Sequence, residues 1–329
     1  MEAAAEPHMV PGYRHVPGNH CGSTALRNLL AHHGLELSEE MAFGLGAGAC
    51  FYYLVLEDAS PTRWFNGRVA RLEENFLEIT GAPLALDTFE DPDAAWEAAR
   101  SGVDEGRPAL LLTDLYYLDH YGRSAHFPGH AVVLAGYDDE LAYLSDTAFE
   151  ELQETRIASL REARHGEHPA FPLQGHMFTV PEGVELPDVR EAAPRAVERA
   201  AKEMLEPSFG EYGGLPAVRR LADEAGSWPE QTEDWQWCAR FAYQVIERRG
   251  TGGGNFRLMY SRFLEEAGYA EQAPIAAEAA GDWTALAEAF REASELDKPE
   301  PGLWDRVDAA ARACLDAEQR LWASLAGVD

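Results

Sequence analysis

The constraint that most limits how this chain can fold is the stretch His20-Cys21-Gly22-Ser23-Thr24-Ala25-Leu26-Arg27-Asn28-Leu29-Leu30. Ala25, Leu26, Leu29 and Leu30 recur at helical spacing, and Gly34 stands where a helix C-cap would. Cys21 therefore lies at the N-terminus of a helix. The unsatisfied N–H groups and the positive end of the helix dipole favour a thiolate there. Such a cysteine can be a nucleophile near neutral pH. It can equally be a small buried apolar residue, as free cysteines often are.

The residues upstream, YRHVPGNHCG, are rich in Pro, Gly and His and read as a loop delivering Cys21; residues 1–12 read as a loose leader. No basic and apolar signal segment opens the sequence and no apolar run approaches a membrane span, so the expected setting is cytoplasmic, with no membrane partner. Four cysteines (Cys21, Cys50, Cys238, Cys314) lie far apart with no CxxC spacing, which fits a reducing compartment and argues against a zinc ribbon. The net charge of −30 argues against nucleic acid, because phosphate binding needs clustered Lys and Arg.

In the first half, short aliphatic runs at 84–88, 108–114, 131–139, 141–147 and 176–180 read as strands, and 61–80, 92–102 and 156–165 as helices. In 61–80, Val69, Leu72, Phe76 and Ile79 share one helical face. The glycines at 44, 46 and 48 lack the GK[ST] ending and preceding strand of a phosphate loop; they read as places where backbone passes close to a helix or a substrate. After a Pro-punctuated linker near 185, everything reads as helix: 190–205, 214–225, 231–250, 255–268, 270–295 and 302–326. Cys50, Cys238, Cys314 and the tryptophans at 228, 235 and 237 read as packing residues. The expected architecture is α+β, with an N-terminal helix and antiparallel sheet over 1–183 followed by an all-α domain over 184–329.

The next dense polar cluster after Cys21 runs from His120 to His130. His130 directly precedes a strand, and Asp146 closes the returning strand of a hairpin turning at Asp138-Asp139-Glu140. With the midpoint at 138, residues 130 and 146 come out opposite each other. A carboxylate can then orient the imidazole, and the imidazole can take the proton of Cys21. A metal is the rival, since His126 and His130 are four apart with His120 and Asp119 nearby, but Pro128-Gly129 forbids the helix that HxxxH needs. His126 otherwise reads as a loop histidine or a wall of the substrate pocket. An acyl-transfer site also needs an oxyanion donor. Candidates are the backbone N–H of Cys21 and the side chain of His15.

Cys21, His130 and Asp146, in that order, make the chain resemble a papain-like cysteine enzyme, closest to the bacteriocin-processing peptidases. In that superfamily a Gln six before the cysteine supplies the oxyanion donor; His15 stands there in this chain. More specifically, HCGSTALRNLLAHHGLELSEEMAFGLGAGACFYY, GRPALLLTDLYYLDHYGRSAHFPGHAVVLAGYDDELAYLSDT and SLREARHG resemble the N-terminal domain of butirosin biosynthesis protein H. GTGGGNFRLMYSRFLEEA and its surrounding helices resemble the uncharacterised helical domain that often follows it. The resemblance implies an acyltransferase of antibiotic biosynthesis. It would take an acyl or aminoacyl group from the phosphopantetheine thioester of an acyl or peptidyl carrier protein and place it on a small-molecule amine. On this reading Cys21 accepts the acyl group, His130 moves the proton and Asp146 orients His130. No cofactor is bound; the phosphopantetheine belongs to the partner. A hydrolase (amidase or thioesterase) using the same residues stays open, as does a non-catalytic binding protein that keeps the fold. In the helical domain, the glycines 250–254 and Arg257 could hold a phosphate such as that of the phosphopantetheine arm, or form a hinge and a structural ion pair. The apolar surface of an all-helical tail is compatible with a homodimer.

Overall fold

The computed structural model describes residues 6–167 and 171–327. In chain order the elements are β1 (His8–Met9), α1 (Cys21–His32), α2 (Glu39–Leu45), β2 (Ala49–Val55), β3 (Arg63–Arg68), α3 (Leu72–Thr80), β4 (Ala85–Asp87), α4 (Pro92–Asp104), β5 (Ala109–Asp114), β6 (Pro128–Tyr137), β7 (Leu141–Ser145), β8 (Gln153–Arg156), α5 (Ile157–Ala163) and β9 (Met177–Thr179). The helices α6 (Ala193–Leu205), α7 (Gly214–Glu224), α8 (Trp228–Gln231), α9 (Trp235–Glu247), α10 (Arg257–Glu266), α11 (Ala273–Ser294) and α12 (Pro301–Ala326) follow. The chain is α+β, with an antiparallel sheet in its first half and helices in its second.

Two compact units emerge. The first combines Met1–Ala42 with Thr80–Val189. Its described strands form an antiparallel sheet in the order β4-β9-β5-β6-β7-β8, and β1 pairs with the far end of β6. β5 and β6 carry aliphatic residues on both faces because both faces are covered. Leu111, Val132, Leu134 and Leu144 join Trp96, Ala99 and Val103 of α4 and Leu160 of α5 in one core. The expected loose leader is partly strand: His8 and Met9 pair with Tyr137 and Gly136, and Val10 is buried in that core. Residues 1–5 of that leader lie outside the described residues.

The second unit combines Phe43–Ile79 with Arg190–Asp329. This corrects both the helix expected over 61–80 and the division expected at 183/184. Residues 63–68 alternate buried and half-buried positions, a period-2 pattern that makes β3 a hairpin partner of β2, and the helix begins only at Leu72. The hairpin then joins the helices because its apolar side needs a core. Phe51 and Phe65 pack on Trp283 of α11, and the ring of Phe263 of α10 fills the space where a Cβ on Gly44 would stand. That close approach accounts for the glycine at 44 without a phosphate. Cys50, Cys238, Cys314, Trp228 and Trp235 are buried as expected, whereas Trp237 is 37% exposed at the rim of α9.

Arg257 holds this unit together and is no phosphate ligand. Its side chain is fully buried and donates to both carboxylate oxygens of Glu318 on α12 at 2.7 and 3.1 Å. It also donates to the carbonyls of Cys50, Gly67 and Asn255. Trp283 and Trp322 donate to the same carboxylate at 2.6 Å each. With every donor direction turned inward, none is left for an anion at the surface. Removing one partner strands the other charge in the interior, which costs about 3–5 kcal/mol. Arg257→Ala is therefore expected to lower the unfolding free energy read from urea melts by an amount of that order, with a lower midpoint, and Arg257→Lys to recover only part, because an ammonium cannot reproduce the guanidinium fork. Unchanged midpoints in both would contradict this assignment.

Candidate active site

The site lies wholly within the first unit, and Cys21 is the first residue of α1, as its sequence spacing predicts. His20 is the N-cap: its Nδ1 accepts from the N–H of Ser23 at 3.3 Å. The loop before it is clamped by Glu39, the first residue of α2. Oε1 of this buried carboxylate accepts from the N–H groups of Asn19 (2.8 Å) and His20 (2.7 Å) and from the hydroxyl of Thr24; Oε2 accepts from the Asn19 amide. Gly18 is required here, because a Cβ would sit 2.2 Å from Thr24 Oγ1. The backbone entering α1 thus has one arrangement, and Cys21 with it.

His130 stands near the start of β6 and Asp146 just after the end of β7. The register differs from the expected one. Val133 pairs with Ser145 and Leu134 with Leu144, and Ala135 is an extra residue bulged from β6. Continuing that register sets Asp146 opposite Val132, two residues beyond His130 on the same face, so the pair meets diagonally. The contact forms nonetheless: His130 Nε2 donates to Asp146 Oδ2 at 3.0 Å. Cys21 is the imidazole's other neighbour, and its interaction with the ring also favours the charged form of His130. Tyr121 and Phe127 close on the ring, their centroids 5.6 and 6.5 Å away.

The electrostatics follow from this pairing. Burial works against a charged His130, but the Asp146 charge and hydrogen bond and the contact with Cys21 outweigh it and hold the imidazole up at about 10. Burial likewise opposes an ionised Asp146; the charge on His130 and the hydrogen bonds from His120 and His130 overcome it and keep the carboxylate well below its usual range. An imidazolium between a carboxylate and a thiol is the arrangement that supports a thiolate–imidazolium pair.

The remaining candidates divide. His15 donates through Nε2 to the carbonyl of Phe149 at 2.8 Å and accepts through Nδ1 from Ser145 at 2.7 Å. Both nitrogens are taken, so His15 cannot donate to an oxyanion; the Asn19 amide spends one of its two N–H donors on Glu39. In the first turn of α1 the N–H of Ser23 is taken by His20 Nδ1 and that of Thr24 by the His20 carbonyl, so the turn offers an oxyanion at most its first two N–H groups. His126 bonds Asp114 at 2.6 Å and stacks on Tyr116, with half its side chain exposed, next in sequence to Phe127. Arg257 belongs to the second unit's core. The four rivals for a metal do not converge: Asp119 bonds Arg156 and Ser159, and His126 bonds Asp114, while His120 and His130 meet on Asp146.

The ion pair gives a pH signature. A histidine whose folded value is raised stabilises the fold fully below its unfolded value of about 6.5. That contribution declines as pH rises and is gone above about 10. Urea midpoints of wild type should therefore fall between these limits, and the fall should flatten in Asp146→Asn, which removes the charge that raises His130. Parallel curves would contradict the pairing.

No curated protein matches this chain. Among solved structures, a C39-like peptidase from Bacillus anthracis is similar to it at 15% identity with a TM-score of 0.38; the match covers 54% of this chain and 99% of that one. Residues 20–147 match the family described as butirosin biosynthesis protein H, N-terminal, so the match spans Cys21, His130 and Asp146. Residues 158–325, half of the chain, match a domain described as of unknown function. With its N-terminal domain and the helical domain that follows both matched in order, this chain belongs to the butirosin biosynthesis protein H-type family.

Proposed function

We propose that the chain is a cysteine-nucleophile acyltransferase of natural-product biosynthesis. The observation that carries this reading is His130, held by Asp146 on one side and neighbouring Cys21 on the other. The family's name, which refers to butirosin biosynthesis, supports the placement in antibiotic assembly. The donor is an acyl or aminoacyl thioester on the phosphopantetheine arm of a carrier protein, and the acceptor is a small-molecule amine.

In the first half-reaction the Cys21 thiolate attacks the thioester carbonyl carbon. A carbon–sulfur bond forms to Sγ, and the carbonyl oxygen takes the negative charge beside the first two N–H groups of α1. Collapse breaks the bond to the pantetheine sulfur, which leaves as a thiol with the proton from His130. In the second, the amine attacks the acyl-Cys21 carbonyl and gives its proton to His130, and Cys21 leaves as the thiolate. Asp146 keeps its negative charge throughout and fixes the ring. Phe127 and His126, on the loop before β6, form the wall that meets the substrate. No helix among the described residues is long and apolar enough to cross a membrane, and the proposed setting is the cytoplasm.

Incubation with an acyl-pantetheine thioester tests this. Wild type should gain the acyl mass on the Cys21 peptide, Cys21→Ala and His130→Ala should not, and an added amine should discharge the adduct as an amide. Discharge to the free acid alone, with amine present, would favour a hydrolase using the same residues. No adduct at Cys21 would contradict both.

A further inference from the structure

Asp146 carries a second imidazole. His120 Nε2 lies 2.9 Å from Oδ2, the same oxygen that His130 Nε2 reaches at 3.0 Å, and the Tyr121 hydroxyl donates to Oδ1 at 3.2 Å. All three donors come from the segment between β5 and β6 and the start of β6, so one stretch of chain wraps the carboxylate from both sides. Asp146 itself is fully buried.

An ionised carboxylate only accepts, so His120 must donate through Nε2. Nδ1 then accepts from the hydroxyl of Thr155, 2.9 Å away on β8. Thr155 is fully buried and fixed by pairing with Ala142 of β7. The ring is braced by Tyr121 at 4.8 Å and edge-on by Phe149 at 5.3 Å. Both nitrogens are spent, and the side chain is only 6% exposed, so His120 has nothing to offer a substrate or a metal.

We propose that His120 is a positioning residue for the Cys21–His130 pair, acting through Asp146 in a relay that runs Thr155, His120, Asp146, His130, Cys21. The inference rests on Cys21 being the nucleophile. With three donors on a carboxylate that water cannot reach, loss of one makes the ionised form harder to keep. Without that donor the carboxylate loses the orientation in which Oδ2 receives His130 Nε2, and with it the hold on the charged His130 that supports the thiolate. The groups facing Asp146 are His120, His130 and Tyr121; those facing His120 are Asp146, Thr155, Tyr121 and Phe149. The neighbouring Asp119 is paired with Arg156 and Ser159, and Cys21 lies beyond His130.

The test is the pH profile of Cys21 alkylation by iodoacetamide, read by peptide mapping on the full chain. In His120→Phe the acid limb should move up by about one pH unit, roughly tenfold in rate at the foot of the limb. His120→Gln, which can place an amide N–H near the position of Nε2, should return it towards wild type. Thr155→Val removes one hydroxyl without touching His120 and should shift the limb in the same direction by less. A limb unmoved in His120→Phe or, should that variant not fold, in Thr155→Val, or a His120→Gln no closer to wild type than His120→Phe, would overturn the inference while leaving the nucleophile in place. A wild-type Cys21 that reacts only as an ordinary thiol would overturn the nucleophile reading, and this inference with it.

Discussion

A carboxylate taken wholly out of water must be met by donors, and Asp146 sets the terms for everything around it. An unpaired buried charge is too costly to persist. The segment from His120 to His130 is therefore drawn around it, and His130 arrives already oriented. Successive residues at a strand end point to opposite sides. Ser145 accordingly turns to His15 and to Asn28 of α1, while Asp146 turns to His120 and His130. One dipeptide thus fixes both the helix that carries Cys21 and the imidazole of His130. Glu39 completes the arrangement from the other end by clamping the backbone ahead of Cys21.

The sequence made the main elements legible where a single period dominates. Ala25, Leu26, Leu29 and Leu30 gave α1, the aliphatic runs gave β5 to β7, and the helices after residue 190 followed from their stripes and glycine joints. The placement of Cys21, His130 and Asp146 was legible for the same reason, since each sits at the end of a strongly patterned element. The exact register was not. A bulge at Ala135 leaves no mark in composition, yet it moves Asp146 from opposite His130 to its diagonal. The contact survived because both residues keep the same face.

Other features depend on contacts far apart in sequence. Residues 63–68 alternate over too few positions to outweigh the helical spacing of Leu72, Phe76 and Ile79 that follows them. Nothing local says that β2 and β3 belong with helices more than a hundred residues downstream, because Arg257, Glu318 and Trp283 complete that core. Glu39 and His120 were missed as positioning groups for a similar reason. Each looks ordinary in its own segment, a helix-start acid and one histidine in a polar loop, and becomes informative only with its partners. His15 illustrates the converse: its spacing from Cys21 suggested a donor, and its two hydrogen bonds removed it.

The central claim is that Cys21 and His130 form an ion pair supported by Asp146. Ultraviolet thiolate absorbance, titrated in wild type and corrected by Cys21→Ser, measures it directly. The other three cysteines are buried, and burial pushes Cys50 up to about 11 and the thiols of Cys238 and Cys314 upward too, so they remain silent below neutrality. The account predicts a Cys21 thiolate present below about pH 7 that disappears in His130→Ala. A thiolate that appears only near the free-thiol value of about 8.5, equally with and without His130, would contradict it.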